Sequence, residues 1–404
     1  MRKIISAFFI LACAQPLFAI EEGYITPGDG SRPEYFITAP DGRNKRIPPA
    51  AAQRVAGNNY FVTQPGVYGS QPRGPNTANA ATARDPDKQY FITKPGGNTP
   101  QPGINVQRTA NRVEPFSIGY DDGVLGGYAN WGYNKVNAEA AQARGIDGAG
   151  VIIMVIDGGV SAHNEFKNGA VQMLDFTGTG PYDLRGHGTG VIGVIISRGV
   201  QVKGIAPGAT VYSAKADAGG GVLSSVQVVS AINWAIDHNK TSSDKISVIN
   251  LSYGVPSSQW DLADAVKRAY AAGITIVAPA GNEGFNQVMF PGNMPEVIAV
   301  AASTPLDAAY ANTSYGKEVS FIAPGAAVYT TALDNNYMWA DGTSLAAPYV
   351  SGLAALAIQS YRLKNGGASP SPAQVKQMLA SSSTLLPAPN PLKQGYGLPD
   401  ASKL

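Results

Sequence analysis

The sequence predicts an α/β fold in which a mostly parallel central sheet is flanked by helices. The main observation is the run at 151–156 (Val-Ile-Ile-Met-Val-Ile), which is apolar at every position. Such a strand is typical of a parallel sheet, because both of its faces are buried. Two further segments, 247–254 and 274–277, are also interpreted as strands, the first buried and ending in small residues and the second apolar. The long apolar helix predicted after Ser344 would be buried at the centre of the fold.

The helix is predicted to begin near Ser344. Small or apolar residues recur after it at helical spacing: Ala346, Ala347, Val350, Leu353, Ala354, Ala357 and Ile358. Pro348 fits this helix if it falls in the first turn, where its missing N–H is not needed. Ser344 would then lie at a helix N-terminus, where N–H groups and the helix dipole favour the negative charge of an oxyanion. The alternative is a serine N-cap before an ordinary core helix.

Length and charge limit the class of protein. The chain has 404 residues, enough for one large α/β domain and a smaller appendage. Its formal net charge is only +2, so nothing indicates binding to nucleic acid or to an anionic membrane surface. Charged residues make up only 14% of the chain and glycines number 47, which suits a compact, loop-rich exported protein.

The N-terminus has the pattern of an export signal, predicted over residues 1–19. Arg2 and Lys3 precede an apolar run at 4–14, and Ala19 offers a cleavage point. The run is too short to span a bilayer, and no later run is long enough. A buried N-terminal helix is the alternative. We therefore expect a secreted protein, extracellular or periplasmic, without a transmembrane span.

The one cysteine, Cys13, lies inside this signal. A mature chain without cysteine has no disulfide and no thiol to protect, which agrees with export. The segment 10–13 (Ile-Leu-Ala-Cys) also resembles a lipoprotein cleavage box. Lipid anchoring through Cys13 is therefore a minor alternative.

Residues 20–112 differ in composition from the rest of the chain. Pro, Gly, Asn and Gln dominate, and no helical or strand periodicity is sustained. A short aromatic and β-branched pattern closed by proline recurs at 35–40, 60–65 and 90–95, with a degenerate copy at 23–27. The uneven spacing argues against a solenoid. Three interpretations stay open: a pro-segment that blocks the active site until it is removed, a tether whose repeats contact a partner, or a disordered linker.

Two polar side chains stand out at the ends of predicted elements. Asp157 directly follows the strand at 151–156, and carboxyl ends of strands are where α/β proteins place functional groups. The alternative is an ordinary turn aspartate. His187 precedes an apolar stretch and is one of three histidines. His163 lies in a polar turn and His238 in a polar helix end, so both are expected to be exposed and are weaker candidates.

The motifs Asp157-Gly-Gly-Val, Gly186-His187-Gly-Thr and Gly342-Thr-Ser344-Leu-Ala-Ala-Pro occur in this order. Together they resemble the subtilisin-like serine proteases (subtilases) over about 131–401. The resemblance implies that Ser344 attacks the scissile carbonyl, that His187 transfers the proton, and that Asp157 orients the imidazole. It predicts a secreted serine endopeptidase that works through an acyl-enzyme. The catalytic domain would span 113–404, with no further module after it.

The same resemblance implies residues that bind the substrate. Asn282, in a Gly-Asn-Glu-Gly segment, and the backbone N–H of Ser344 would form the oxyanion hole. The alternative for Asn282 is a turn residue. An extended substrate would lie between two chain edges through main-chain hydrogen bonds. The residues expected to contact it are Gly219, Gly220, Gly221, Ser252, Tyr253, Gly254, Ala280, Gly281 and Met289. The triple glycine could instead be a flexible loop.

The segment 288–292 resembles the one that lines the primary specificity pocket of subtilases. Met289 would lie near the base of this pocket, so we expect a preference for hydrophobic residues before the scissile bond. No metal or cofactor is expected for the chemistry. Subtilases often bind structural calcium, but the sequence contains no acidic cluster dense enough to name ligands.

Three positions depart from the subtilase pattern. Gly158 follows the catalytic aspartate where Ser or Thr is usual, Gly190 replaces the second histidine of His-Gly-Thr-His, and Tyr349 replaces a histidine common after the proline. None of these belongs to the triad, so we expect an active enzyme with an altered pH profile or stability. The N-terminal region also lacks the helix-and-strand pattern of the usual inhibitory prodomain, so chaperone-like maturation is not implied.

Two other functions stay open at this stage. One is a catalytically silent protein that captures peptides or partners with its cleft and repeats, although the presence of all four catalytic groups argues against it. The other is a processing protease that the N-terminal repeats hold near one partner, in contrast to a broad degradative enzyme. The number of cleavage sites in an unfolded protein separates these two protease roles.

Overall fold

The computed structural model describes residues 129–404 and five short strands nearer the N-terminus. The chain divides into two compact units, Met1–Gly119 and Tyr120–Leu404. The strands of the first unit are β1 (Ile25–Pro27), β2 (Tyr35–Thr38), β3 (Asn44–Ile47), β4 (Phe61–Thr63) and β5 (Phe91–Thr93). The predicted export signal at 1–19, with Cys13, lies outside the described residues.

The repeated segments coincide with strands of the first unit. β1 and β2 pair antiparallel, with Ile25 opposite Ile37, and β2 also pairs with β3. β4 and β5 pair antiparallel, with Val62 opposite Ile92. The aromatic and β-branched residues that the copies share are typical of strands. The role of the region as a pro-segment, a tether or a linker stays a prediction.

Strands and helices alternate along most of the second unit. Its strands are β6 (Ile152–Asp157), β7 (Val171–Asp175), β8 (Thr210–Lys215), β9 (Ile246–Leu251), β10 (Thr275–Pro279), β11 (Val297–Ser303), β12 (Val319–Pro324), β13 (Val328–Thr331) and β14 (Tyr337–Ala340). Its α-helices are α1 (Trp131–Lys135), α2 (Ala138–Gln142), α3 (His187–Ile196), α4 (Ser225–Thr241), α5 (Trp260–Ala271), α6 (Thr343–Lys364) and α7 (Pro372–Ser382). Short 3-10 helices span Leu333–Asn335, Pro391–Lys393 and Ala401–Lys403. Within the described residues, no helix has the length and apolar character needed to cross a membrane.

One seven-stranded sheet organises this unit, in the order β12-β11-β10-β9-β6-β8-β7. Every neighbouring pair in it is parallel. The predicted α/β fold, a mostly parallel sheet flanked by helices, is therefore confirmed. Strands β7 and β8 lie on one side of β6, and strands β9 to β12 lie on the other side, so the direction in which the sheet grows reverses at β6. At such a switch point the loops that leave the carboxyl ends of the strands diverge, and a crevice forms between them.

The sheet separates two apolar cores. Ile153 and Val155 of β6 belong to the core that contains α3 and α6. Met154 and Ile156 belong to the core that contains α4 and α5. Because successive side chains of a strand point to opposite faces, a strand between two cores must be apolar at every position. The run of β6 is therefore continuously apolar because its alternate side chains enter two different cores.

The helix α6 begins at Thr343 with Gly342 as its N-cap, and Ser344 is its second residue, at the N-terminus as predicted. The helix is buried without interruption from Leu345 to Ser360. The predicted place of Pro348 is wrong, because this proline lies in the second turn and not in the first. At that position a proline removes a helical hydrogen bond, the one that would end on the carbonyl of Ser344.

The prediction that His163 is exposed is also wrong, because the residue is only 7% exposed. Its Nε2–H donates to the carbonyl of Asn336 at 2.8 Å, and its Nδ1 accepts the backbone N–H of Glu165 at 3.1 Å. Protonation of Nδ1 would therefore place a ring proton against the N–H group of Glu165, which disfavours the charged imidazole. Burial lowers the pKa of His163, although the Asn336 carbonyl and the Glu165 charge act in the opposite direction. His238 is half-buried and stacks on Trp234, so it is not freely exposed either.

Glu165 fixes the loop that follows α3. Its carboxylate is fully buried and accepts the backbone N–H groups of Val200, Gln201 and Val202 at 3.0, 2.5 and 2.9 Å. The hydroxyl of Tyr337 donates to the same carboxylate at 3.1 Å. Burial alone would raise the pKa of Glu165, but these hydrogen bonds outweigh it and hold the pKa below its ordinary value. The loop therefore depends on an ionised, buried carboxylate.

We expect His163 to lower the stability of the fold as the pH falls from 7 to 5. Its folded pKa lies below the unfolded value of about 6.5, so the unfolded chain takes up the proton first and the free energy of unfolding decreases. His163→Gln removes this contribution. The variant should be less stable at pH 7 by about 1–2 kcal/mol, because it disturbs two buried hydrogen bonds, and this difference should shrink at pH 5.

The measurement is urea unfolding of His163→Gln and its parent at both pH values, in the Ser344→Ala background, which removes the nucleophile that the subtilase resemblance implies. His187, whose raised pKa acts in the opposite direction, contributes equally to both proteins and cancels in the difference. A difference that stays the same at both pH values would contradict the assignment.

Candidate active site

Three side chains meet at the carboxyl edge of the sheet. Asp157 is the last residue of β6, His187 the first residue of α3, and Ser344 the second residue of α6. The Nδ1–H of His187 donates to Asp157, at 2.9 Å from Oδ1 and 3.0 Å from Oδ2. On the other side of the ring, Nε2 accepts the hydroxyl proton of Ser344 at 3.0 Å. The imidazole is thus held in the tautomer that presents a basic nitrogen to a serine hydroxyl.

The Asp157 carboxylate is the buried charge of this group. The residue is 1% exposed, and its Oδ1 also accepts the Gly158 N–H at 2.6 Å. Burial by itself lowers the pKa of His187. The charge and hydrogen bond of Asp157, with the charge of Asp183, outweigh burial and raise the pKa. The surroundings therefore stabilise the protonated imidazole, as a general base requires once it has accepted a proton.

Sequence reasoning misses Asp183, a buried carboxylate close to His187. Its Oδ1 accepts the N–H groups of Arg185 and Gly186, each at 2.9 Å. Its Oδ2 accepts the N–H and the hydroxyl of Thr189 at 2.8 and 2.7 Å. Asp183 therefore caps the N-terminus of α3 and orients the turn that carries His187. The available signal is an aspartate shortly before a predicted helix, which is typical of helix starts.

The loop after Asp157 is fastened to the same turn of α3. The Thr189 hydroxyl accepts the N–H of Ser161 at 3.0 Å. Gly188 lies so close to the carbonyl of Gly159 that a Cβ at position 188 would clash with it. Only glycine allows this approach of two backbones. The contact brings the carboxyl end of β6 against α3 and so helps to set the distance between Asp157 and His187.

Asn282 lies beside the N-terminus of α6. Its Oδ1 accepts both the backbone N–H and the hydroxyl of Thr343, each at 2.9 Å, which fixes the orientation of the amide. A Cβ placed on Gly342 would lie 3.5 Å from Asn282 Nδ2 and 3.4 Å from Ser344 Oγ. The amide nitrogen and the serine hydroxyl therefore border the same small space, which Gly342 leaves open with a φ of 143°.

Gly219, Gly220 and Gly221 follow β8 and form the first predicted edge. The Asp217 carboxylate accepts the N–H groups of Gly219 and Gly221 at 2.8 and 2.9 Å. The Arg185 guanidinium donates to the carbonyl of Gly219 at 3.0 Å. These bonds hold the turn, which disfavours the interpretation as a flexible loop. The N–H groups of Gly219 and Gly221 and the carbonyl of Gly219 are therefore already paired within the protein.

Ser252, Tyr253 and Gly254, which are predicted to form the opposite edge, directly follow β9. Ser252 and Tyr253 are each only 8% exposed. The Ser252 hydroxyl donates to the carbonyl of Ser344 at 3.1 Å. The side chain of Ser252 therefore has a partner within the protein, and contact between this segment and a substrate stays a prediction.

Met289 lies between Gly254 and Gly281, two glycines that are predicted to contact the substrate. A Cβ added to Gly254 would be 3.1 Å from the Met289 Cβ, and one added to Gly281 would clash with the Met289 side chain. The carbonyl of the buried Ala280 accepts the N–H of Met289 at 2.9 Å. The structure therefore brings Gly254, Ala280, Gly281 and Met289 together, and their role as a specificity pocket stays a prediction.

Two of the departures from the subtilase pattern are accommodated by packing. A side chain at Gly190 would clash with the methyl group of Met338, which fills the space that a histidine would need. Tyr349 is buried against Gly132, where any Cβ would clash with the tyrosine hydroxyl. Burial raises the pKa of Tyr349 well above its ordinary value, so this phenol stays protonated at neutral pH.

No metal site is evident in residues 129–404. Within that range, no group of three or more His, Cys, Asp and Glu side chains is arranged to hold a metal ion. The expectations that the chemistry needs no cofactor and that structural calcium could bind elsewhere stay predictions.

The profile of the subtilase family matches residues 148–397, which include Asp157, His187 and Ser344. The chain is 36% identical over 267 residues to subtilisin DY of Bacillus licheniformis, covering 63% of this chain and 92% of that protein. It is 34% identical over 275 residues to a thermostable alkaline protease of Halalkalibacterium halodurans, covering 68% and 72% of the two chains. It is 32% identical over 275 residues to subtilisin Savinase of Lederbergia lenta, covering 67% and 96%. The chain therefore belongs to the subtilase family, the subtilisin-like serine endopeptidases.

Proposed function

We propose that this protease is exported and that Ser344, His187 and Asp157 form its catalytic triad. The observation that carries the assignment is the unbroken series of hydrogen bonds from Asp157 through His187 to Ser344. The same series disfavours a catalytically silent binding protein, because it aligns the groups for proton transfer. Export is supported by the sequence pattern at 1–19.

In the proposed reaction, Ser344 Oγ attacks the carbonyl carbon of the substrate while its proton passes to His187 Nε2. His187 then gives this proton to the departing amine nitrogen as the C–N bond breaks, which leaves an ester on Ser344. A water molecule, deprotonated by the same nitrogen, attacks the ester and releases the acid product with the serine hydroxyl restored. Asp157 stabilises the imidazolium in both halves of the reaction.

The developing oxyanion would be bound at the space beside Gly342. The fixed amide of Asn282 supports this assignment, because its Oδ1 is held by Thr343 and its Nδ2 borders that space. The backbone N–H of Ser344, in the first turn of a buried helix, would be the second donor. Both donors are oriented before the substrate arrives, so little reorganisation is needed as the charge develops.

Residues 20–112 would act either as a pro-segment that is later removed or as a tether, and a linker stays the alternative. The composition and the repeats of this region are the observations that support these interpretations. A broad degradative role and a specialised processing role both agree with the proposed chemistry.

Ser344→Ala should lower kcat/KM on an unfolded protein substrate such as casein by at least about 10⁴-fold, because no other group can form the acyl-enzyme. The matched control is Ser230→Ala, which replaces an exposed serine of α4. A Ser344→Ala protein that keeps a tenth or more of the wild-type activity would contradict the triad assignment.

The intact masses of the wild type and of Ser344→Ala test whether the N-terminal region is removed by self-cleavage. Loss of this region from the wild type but not from Ser344→Ala would support a self-removed pro-segment. Retention in both, with casein digested only by the wild type, would support a tether.

Asn282→Ala should lower kcat by about 10²–10³-fold with little change in KM, since the lost donor stabilises mainly the transition state. The readout is the separate measurement of kcat and KM on one peptide. Asn312→Ala, at an exposed asparagine whose amide contacts only Tyr310 among the described hydrogen bonds, is the control. An equal rise in KM with unchanged kcat would argue for a ground-state role instead.

A peptide panel tests the pocket that includes Met289. Peptides with Leu or Phe before the scissile bond should be cleaved with kcat/KM at least about tenfold higher than those with Arg or Asp, because the neighbouring side chain is apolar. Strong cleavage after Arg or Asp, with little after Leu or Phe, would refute this preference.

A further inference from the structure

Pro348 leaves the carbonyl of Ser344 without its usual donor. In an α-helix, the carbonyl of residue i accepts the N–H of residue i+4, and for Ser344 that position is a proline. Proline has no N–H, and its ring also crowds the carbonyl four residues earlier. From Leu345 onward the helix is buried, so a carbonyl without a partner at this point would be costly.

Ser252 supplies a donor from another element. Its hydroxyl donates to the carbonyl of Ser344 at 3.1 Å. Ser252 directly follows β9, the strand next to β6 in the sheet. The bond therefore links the carboxyl edge of the sheet to the first turn of α6, at the residue that carries the nucleophile.

A buried relay fixes the direction of the Ser252 hydroxyl. The Nδ2 of Asn250 donates to Ser252 Oγ at 2.9 Å, and the Oδ1 of Asn250 accepts the hydroxyl of Ser351 at 2.9 Å. Asn250 and Ser351 are both fully buried. Because Asn250 occupies the Ser252 oxygen as a donor, the single hydroxyl proton of Ser252 is directed to Ser344.

The carbonyl in question belongs to the same residue as the reacting oxygen. The Cα of Ser344 bears both the carbonyl group and the side chain whose Oγ lies 3.0 Å from His187 Nε2. A rotation of the carbonyl would therefore shift Oγ relative to its base. Rates of oriented reactions fall steeply when the reacting groups are displaced by even about 1 Å.

We propose that Ser252 is a positioning residue, whose hydroxyl replaces the N–H that Pro348 lacks and so fixes the first turn of α6 around Ser344. This inference rests on the proposed role of Ser344 as the nucleophile. It gives the Ser252 side chain a function separate from the substrate edge that its backbone forms.

The test is a double-mutant cycle of wild type, Ser252→Ala, Pro348→Ala and the double variant. Ser252→Ala should lower kcat about tenfold (about 1.4 kcal/mol in activation free energy). KM should stay within about twofold, because the backbone of the edge is retained. In the double variant, the restored N–H at position 348 takes over the carbonyl, and kcat should return to within about twofold of Pro348→Ala alone.

Thermal unfolding, measured with Ser344→Ala also present, separates positioning from stability. Both proteins that carry Ser252→Ala leave Asn250 Nδ2 without its acceptor, so their Tm should fall by several degrees. Only kcat should recover in the double variant. Ser382→Ala is the matched control, because it removes a buried hydroxyl that donates to the Leu379 carbonyl in α7 at 2.8 Å. It should lower Tm and leave kcat unchanged.

An unchanged kcat in Ser252→Ala would overturn the proposal. So would an equal loss of kcat from Ser252→Ala with and without Pro348→Ala. The cycle is interpreted relative to an active wild type and an inactive Ser344→Ala. A wild type without activity, or an active Ser344→Ala, would overturn the proposed function and this inference together, and either result is evident before the variants are compared.

Discussion

The burial of α6 is the constraint on which the rest of the site depends. The helix packs against α3, α7 and strands β9 to β12, so its side chains must be small or apolar and its polar ends must find partners. At its N-terminus, Asn282 binds Thr343 and Ser252 binds the carbonyl of Ser344. The packing of the core and these two hydrogen bonds therefore hold Ser344 in place.

Part of this arrangement could be predicted because the signals are local. Asp157 ends a run that is apolar at every position, and Ser344 precedes a long helical pattern, so each residue can be assigned to the end of a buried element. The meeting of Asp157 with His187, 30 residues further on, and of His187 with Ser344, 157 residues further on, is not contained in any local pattern. The order of the three motifs indicates that Asp157, His187 and Ser344 belong together. The topology of the sheet explains why they meet.

The errors about His163 and Pro348 have one physical cause, which is contact between distant segments. His163 has the surroundings of a turn residue in sequence, but Asn336 closes over it from 173 positions away. Pro348 can occupy the second turn of α6 because Ser252, 92 positions before Ser344, satisfies the carbonyl that the proline leaves open. Asp183 is different, because its capping role is local and could have been predicted from its place before α3.

The side chains of β6 enter two cores alternately, so each position of the strand is tied to one face of the sheet. An insertion or deletion of one residue would exchange the cores and turn the Asp157 carboxylate from the α3 side of the sheet to the α4 side. The loops at the carboxyl edge, such as the glycine segment at 219–221, have no alternation of side chains between two faces that a change in length would disturb. Over evolutionary time, the loops around the crevice can therefore change in length, whereas the strand that carries the acid can change only by substitution.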